Sequence, residues 1–262
     1  ADLINKKYNS KANLLVLPNN NNDEKFIQKL AKKQSLNKII TFGKTSNSDL
    51  IVKKINKIDN NFFEVLFSYD NKSVKLTLNI NQYYRFYNII ICFIIFTYNK
   101  LNIKKLLESA KNLSLIEGRG FQSAIIINKK SVNLIDESYN ASPESMKICI
   151  KYFHELRLDD FKKKYLILGD MKELGDDSIK YHKEIINFVI QKKIHKVIIC
   201  GKLMKLALDK KYNKNIQYMG NLKSIIEYLK KNIDDNDFVL IKGSNSSLTN
   251  KLSQYLLSED VI

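Results

Sequence analysis

Leu134-Ile135-Asp136-Glu137-Ser138-Tyr139-Asn140-Ala141-Ser142-Pro143 passes from an apolar stretch through a polar turn into the start of a helix. One strand–helix unit later, Leu168-Gly169-Asp170-Met171-Lys172-Glu173-Leu174-Gly175 repeats the plan. Each segment carries an acidic residue at the tip of a strand. An α/β protein places its chemistry there, at the carboxyl ends of parallel strands. Pro143 fits the first turn of a helix, where its missing N–H costs nothing.

Working outward, apolar runs of strand length alternate with amphipathic runs of helix length. Strands are expected at Gln122–Ile127, Val132–Ile135, Tyr165–Leu168, Lys196–Ile199, Ile216–Tyr218 and Phe238–Ile241. Helices are expected at Glu144–Leu156, Asp177–Lys192, Leu203–Leu208, Leu222–Lys231 and Leu248–Leu257. The alternation predicts a mainly parallel sheet with helices on both faces. Upstream the pattern is mixed. Leu14–Leu17 and Lys38–Gly43 read as short strands around an amphipathic helix near Glu24–Lys33. Asp49–Ile55, Phe62–Ser68 and Ser73–Leu78 alternate like antiparallel strands, and helices follow at Tyr87–Phe96 and Ile103–Asn112. The Glu117-Gly118-Arg119-Gly120 segment is the expected hinge, dividing 1–117 from 118–262.

The 262 residues suffice for one large domain or two ordinary ones, and a hydrophobic content of 44% is that of a soluble protein. The three cysteines have neither metal-ligand nor disulfide-framework spacing, so buried, reduced thiols are expected. Residues 1–12 are polar, so no secretory leader is expected there. The apolar run Ile89–Phe96 is too short for a membrane span. A cytoplasmic protein is expected. The net charge of +17 invites a nucleic-acid reading. Yet the lysines are spread along the whole chain and arginine is scarce, which points to composition and away from a binding stripe.

Gly43-Lys44-Thr45 suggests a phosphate loop, but the Gly required five positions earlier is Lys38. Asp136 and Glu137, ahead of Ser138, Asn140 and Ser142, read either as a turn that caps the next helix or as carboxylates aimed across a cleft at a ribose, a metal-held phosphate or an amine. Asp170 after Gly169 is suggestive of a site, whereas a lone helical histidine such as His182 is ordinarily a satisfied structural residue. Lys242-Gly243-Ser244 ends the last strand, where a lysine could meet a carboxylate or simply be solvated.

Taken together, Asp136–Met146, Gly169-Asp170-Met171 with Glu173-Leu174-Gly175 and His182, and Lys242-Gly243-Ser244 resemble motifs of the Mur ligase family, in its branch that adds D-alanyl-D-alanine. Gly118-Arg119, Asn88 and Leu17-Pro18-Asn19-Asn20 also fall at family positions. The sequence departs at Glu137, Ser142 and Asn245, where the family has Asp, Asn and Arg, and at Tyr84-Arg85, where it has His-Asn.

The resemblance implies a partial central ATPase domain followed by a Rossmann-like C-terminal domain. It implies an ATP-dependent ligase using ATP and Mg2+, with UDP-MurNAc-tripeptide and D-alanyl-D-alanine as substrates and no nucleic-acid or membrane partner. A monomer is expected. Glu137 and Lys242 are the implied catalytic candidates. Asn88, Arg119, Asp136 and Glu137 would face the nucleotide, and Asn140, Asp170, Lys242 and Ser244 the dipeptide. The uridine-nucleotide domain, the phosphate loop and the magnesium ligands are expected outside this sequence, so the chain alone is expected to be inactive. An eroded, non-catalytic module that binds a peptide or partner is the alternative reading.

Overall fold

Phe63, Val65 and Phe67 are fully buried, while their neighbours Phe62, Glu64, Leu66 and Ser68 are not. That period of two is what a strand with one face on a core must show. The computed structural model describes residues 13–19, 24–33, 36, 38–59, 62–111, 113, 116–156, 162–192, 194–208 and 216–258, with the side chains of residues 24, 25, 32, 33, 80, 81 and 84 outside the description. The chain forms two compact units, Ala1–Leu113 and Ser114–Ile262.

In the first unit, β1 (Leu14–Pro18), β2 (Lys38–Gly43), β3 (Leu50–Lys57), β4 (Phe62–Tyr69) and β5 (Lys72–Asn79) lie in sequence order in one sheet. β1, β2 and β3 run parallel, and β3, β4 and β5 antiparallel. The three strands expected to be antiparallel are so among themselves, while β3 also joins β2 in the parallel sense. Asp70 and Asn71, both at positive φ, close the two-residue β4–β5 turn, where such a conformation matches the strand twist. Helix α1 is Glu24–Lys33, α2 is Phe86–Tyr98 and α3 is Ile103–Lys111. α2 buries Ile89, Ile90, Phe93 and Ile94 against the sheet. Cys92 lies on the opposite side of that helix and is exposed, which corrects the expectation that all three thiols are buried. Gly43-Lys44-Thr45 forms a turn in which the Thr45 hydroxyl donates to Asn19 O and pairs with Ser48 Oγ. Asn20 and Asn112 lie outside the described residues.

The second unit holds β6 (Phe121–Ile127), β7 (Lys130–Glu137), β8 (Lys164–Leu168), β9 (Lys196–Ile199), β10 (Ile216–Tyr218) and β11 (Phe238–Lys242). Their order is β10-β9-β8-β11-β7-β6, parallel except for β6. Alternate strand residues feed two cores. Ile135, Leu166, Leu168 and Leu240 pack under α4 (Pro143–Glu155), α5 (Ser178–Gln191) and α6 (Lys202–Ala207). Leu134, Tyr165, Ile167 and Ile241 pack under α7 (Leu222–Asn232) and α8 (Leu248–Leu257). Helices therefore cover both faces, as parallel sheets require. No helix among the described residues is long and apolar enough to cross a membrane.

The segment expected to be a hinge is anchored inside the second unit. Gly118 N–H donates to the Asp136 carboxylate at 2.6 Å, and Gly120 N–H donates to Asp136 O.

Candidate active site

The last strand inserts between β7 and β8, so Lys242 stands beside Glu137 on one side and Leu168 on the other. The carboxyl ends of three adjacent strands thus form one row, and the chain leaves that row at Ser138, Gly169 and Gly243. Room is tight there. A Cβ on Gly243 would lie 2.2 Å from Thr249 Oγ1, and one on Gly169 would lie 2.8 Å from the same side chain. Only glycine lets the N-terminus of α8 settle over these two turns.

Asp136 is buried, and both carboxylate oxygens accept backbone N–H groups, from Gly118 at 2.6 Å and from Ser138 at 3.0 Å. Tyr139 N–H returns a bond to Gly118 O at 3.0 Å. The turn then enters α4 through a capping box, in which Ser142 Oγ accepts from Ser145 N–H and Ser145 Oγ accepts from Ser142 N–H. Arg119 is exposed, with its guanidinium 4.3 Å from the centre of the Tyr139 ring.

Lys242 is almost wholly buried. Its ammonium donates to Asn140 O at 2.9 Å and reaches Glu137 Oε2 at 3.5 Å. The ammonium is therefore directed at oxygens of the β7–α4 turn, while the Asn140 side chain is exposed. Ser138 Oγ is buried and has no hydrogen-bond partner among the described residues.

On the other side of the row, Asp170 is buried and its Oδ1 accepts from Met204 N–H at 2.9 Å, capping the first turn of α6 from a different strand. Asp170 O accepts from Ser244 N–H, and Ser244 Oγ accepts from Lys172 N–H at 2.9 Å. His182 has no exposed surface. Its Nε2 accepts from Met171 N–H at 2.9 Å and its Nδ1 lies 2.7 Å from Ser178 O, which places the proton on Nδ1. Burial lowers its pKa below the ordinary histidine value. Burial also pushes the Cys200 thiol up to about 12, with Asp170 adding to the effect, so it is not a thiolate nucleophile near neutral pH.

The fold thus gathers Arg119, Asp136, Glu137, Asn140, Asp170, Lys242 and Ser244 along one edge of the second unit. Asn88 belongs to the first unit, exposed on α2. Sequence reasoning missed Tyr139 as the platform beneath Arg119, although both residues lie in segments that carried the resemblance. It also missed Gly201, which adopts a φ of +102° and whose lack of a Cβ leaves room for the Asp170 carboxylate. Arg119 is an exposed cation at this edge, as is Lys172. Among the described residues, no group of three or more His, Cys, Asp or Glu side chains could hold a metal ion.

Parallel strands with helices on both faces and a polar row at their carboxyl ends define a Rossmann-like α/β domain. Residues 124–245 match the Mur ligase, glutamate ligase domain. That match lies within the second unit and covers a little under half of the chain. The chain is similar to UDP-N-acetylmuramoyl-tripeptide--D-alanyl-D-alanine ligases. It is 33% identical to that of Bacillus subtilis over 141 residues, covering 52% of this chain and 30% of the relative. It is 27% identical to that of Rickettsia prowazekii over 260 residues, covering 94% of this chain and 53% of the relative. Among solved structures, MurF ligase from Thermotoga maritima in complex with ADP superposes with a TM-score of 0.72 at 19% identity, over 95% of this chain and 54% of that one. MurF from Acinetobacter baumannii gives a TM-score of 0.73 at 17% identity, over 93% and 51%. The chain spans about half the length, or less, of these relatives.

Proposed function

We propose that this chain is part of an ATP-dependent amide-bond ligase that adds D-alanyl-D-alanine to UDP-MurNAc-tripeptide in peptidoglycan precursor synthesis. The observation that carries the reading is the convergence of three separate motif segments, at 136–140, 169–174 and 242–244, on the carboxyl ends of three neighbouring strands. The first unit is read as the C-terminal part of the central ATPase domain, and the second as the C-terminal domain that delivers the amine. A cytoplasmic monomer is the corresponding state.

In the proposed reaction a carboxylate oxygen of the tripeptide attacks the γ-phosphorus of ATP, forming an acyl phosphate and releasing ADP. The dipeptide amine then adds to the acyl carbon, and the tetrahedral intermediate collapses by expelling phosphate. Such chemistry depends on positioning and on neutralising phosphoryl charge. Arg119 would contribute charge at the nucleotide, with Asn88 at the base. A Mg2+ ion, when bound, would neutralise phosphoryl charge. Glu137 and Lys242 would act as a pair that shapes the β7–α4 turn. Because Lys242 already donates to Asn140 O, its proposed part is to hold Asn140 at the dipeptide side, for which Asp170 and Ser244 are the other proposed residues.

The test is calorimetric titration of the protein, as its gene encodes it, with D-alanyl-D-alanine, alongside an assay of ADP release with the tripeptide nucleotide present. Saturable dipeptide binding and dipeptide-dependent ADP release are expected. A flat titration with no ADP release would overturn the reading in favour of an eroded module that binds a peptide or partner.

A further inference from the structure

We infer that Tyr139 is a positioning residue that holds the Arg119 guanidinium in place for the phosphates of a nucleotide; this rests on the reading that Arg119 meets the nucleotide. Arginine is long and rotamer-rich, and ordering it upon an anion costs conformational entropy. Here much of that ordering is already present. The backbone around Arg119 is tied down on both sides, since Gly118 N–H and Gly120 N–H donate to Asp136 and Gly118 O accepts from Tyr139 N–H. Gly118 adopts a φ of +73°, and a Cβ there would lie 2.8 Å from Tyr139 Cβ. The strip carrying Arg119 is therefore pressed against the residue whose ring supports its side chain. A phosphate-gripping guanidinium binds through the N–H groups in its plane. With Cζ 4.3 Å from the ring centre, the tyrosine occupies one side of the guanidinium and restricts where it can swing. The ring is itself 44% exposed, so its role is not that of a core aromatic. Among the described residues Arg119 forms no ion pair, which leaves its charge available to a ligand.

The experiment is fluorescence titration with a methylanthraniloyl derivative of ADP, on the protein as its gene encodes it. The variants are Arg119→Ala, Tyr139→Phe, Tyr139→Leu, Tyr139→Ala and the Arg119→Ala/Tyr139→Ala double. Tyr139→Phe keeps the ring and is expected to bind as the parent does. Tyr139→Leu keeps the packing on Gly118 without the π face. It and Tyr139→Ala are expected to weaken nucleotide binding roughly two- to fivefold, the size of an exposed cation–π contact. The double variant should be no weaker than Arg119→Ala alone, because the tyrosine acts through the arginine. If Arg119→Ala weakens binding while Tyr139→Leu and Tyr139→Ala do not, the positioning role is wrong and the nucleotide reading stands. If Arg119→Ala binds as the parent does, or the parent does not bind, the nucleotide reading fails and this inference with it.

Discussion

Lys242 on β11 and Glu137 on β7 are separated by 105 residues in sequence, yet they sit directly beside each other with their charged atoms 3.5 Å apart and both side chains almost wholly buried. Burying two charges is costly, and their attraction offsets the cost only while both are present. Lys242→Met is expected to destabilise the protein by about 3–5 kcal/mol, because it leaves the Glu137 carboxylate without this ammonium. Adding Glu137→Gln should recover part of the loss. Urea denaturation of the single and double variants tests this, and a loss below about 1 kcal/mol would place the pair among weakly coupled contacts.

Two glycines at positive φ should respond differently to alanine. Gly201 (φ +102°) would place a Cβ 2.4 Å from the Asp170 carboxylate, while Gly175 (φ +60°) has nothing within 4 Å. Gly175→Ala should cost only the left-handed conformation, about 1–2 kcal/mol. Gly201→Ala should cost more, since the same strain is joined by displacement of the Asp170 cap on α6. Equal losses in thermal denaturation would show that Asp170 moves aside freely.

His182 predicts a particular pH dependence. Its pKa is lowered in the native state by burial, so the native protein binds fewer protons at this site than the unfolded chain does. The stability it contributes is complete above the unfolded value of about 6.5 and is lost as pH falls through the lower native value. Protonating Nε2 would remove the acceptor for Met171 N–H and loosen the loop that carries Asp170. Melting temperatures measured from pH 8 to pH 5 should fall more steeply for the parent than for His182→Gln. Parallel curves would remove His182 as the cause.

Ser142 stands where the family has asparagine, and both residues are good helix N-caps. Ser142→Asn is therefore expected to change stability little, whereas Ser142→Ala should cost about 1 kcal/mol by removing the acceptor for Ser145 N–H. Chemical denaturation distinguishes the two, and a neutral Ser142→Ala would show that Pro143 and the remaining turn contacts suffice to start α4.

Much of the second unit was legible before any coordinates. The strands at Lys196–Ile199 and Ile216–Tyr218 and the helix at Leu248–Leu257 lie where the hydrophobic pattern predicts them. The motif residues 136–140, 169–174 and 242–244 were also legible as strand tips. Less legible was how they are used. A buried carboxylate such as Asp136 looks like a ligand group in one dimension, and only its two backbone donors reveal that it holds the Arg119 strip. Lys242 was read either as a partner for a carboxylate or as a solvated lysine, and its burial excludes the second, turning its ammonium toward Glu137 and Asn140 O. Cys92 sits within an apolar run, but helical periodicity directs it away from the core.

What the sequence determined by itself was the local plan: which segments become strands or helices, where they start and stop, and which chemistries stand at their ends. Those outcomes follow from periodicity, capping and turn preference within a few residues of each position. The tertiary structure alone decided that β3 joins β2 in parallel, that β6 is antiparallel, and that β11 enters between β7 and β8. Strand partners are chosen by packing and chain connection over long separations, so no local pattern contains them. That insertion of β11 is what places Lys242 against Glu137.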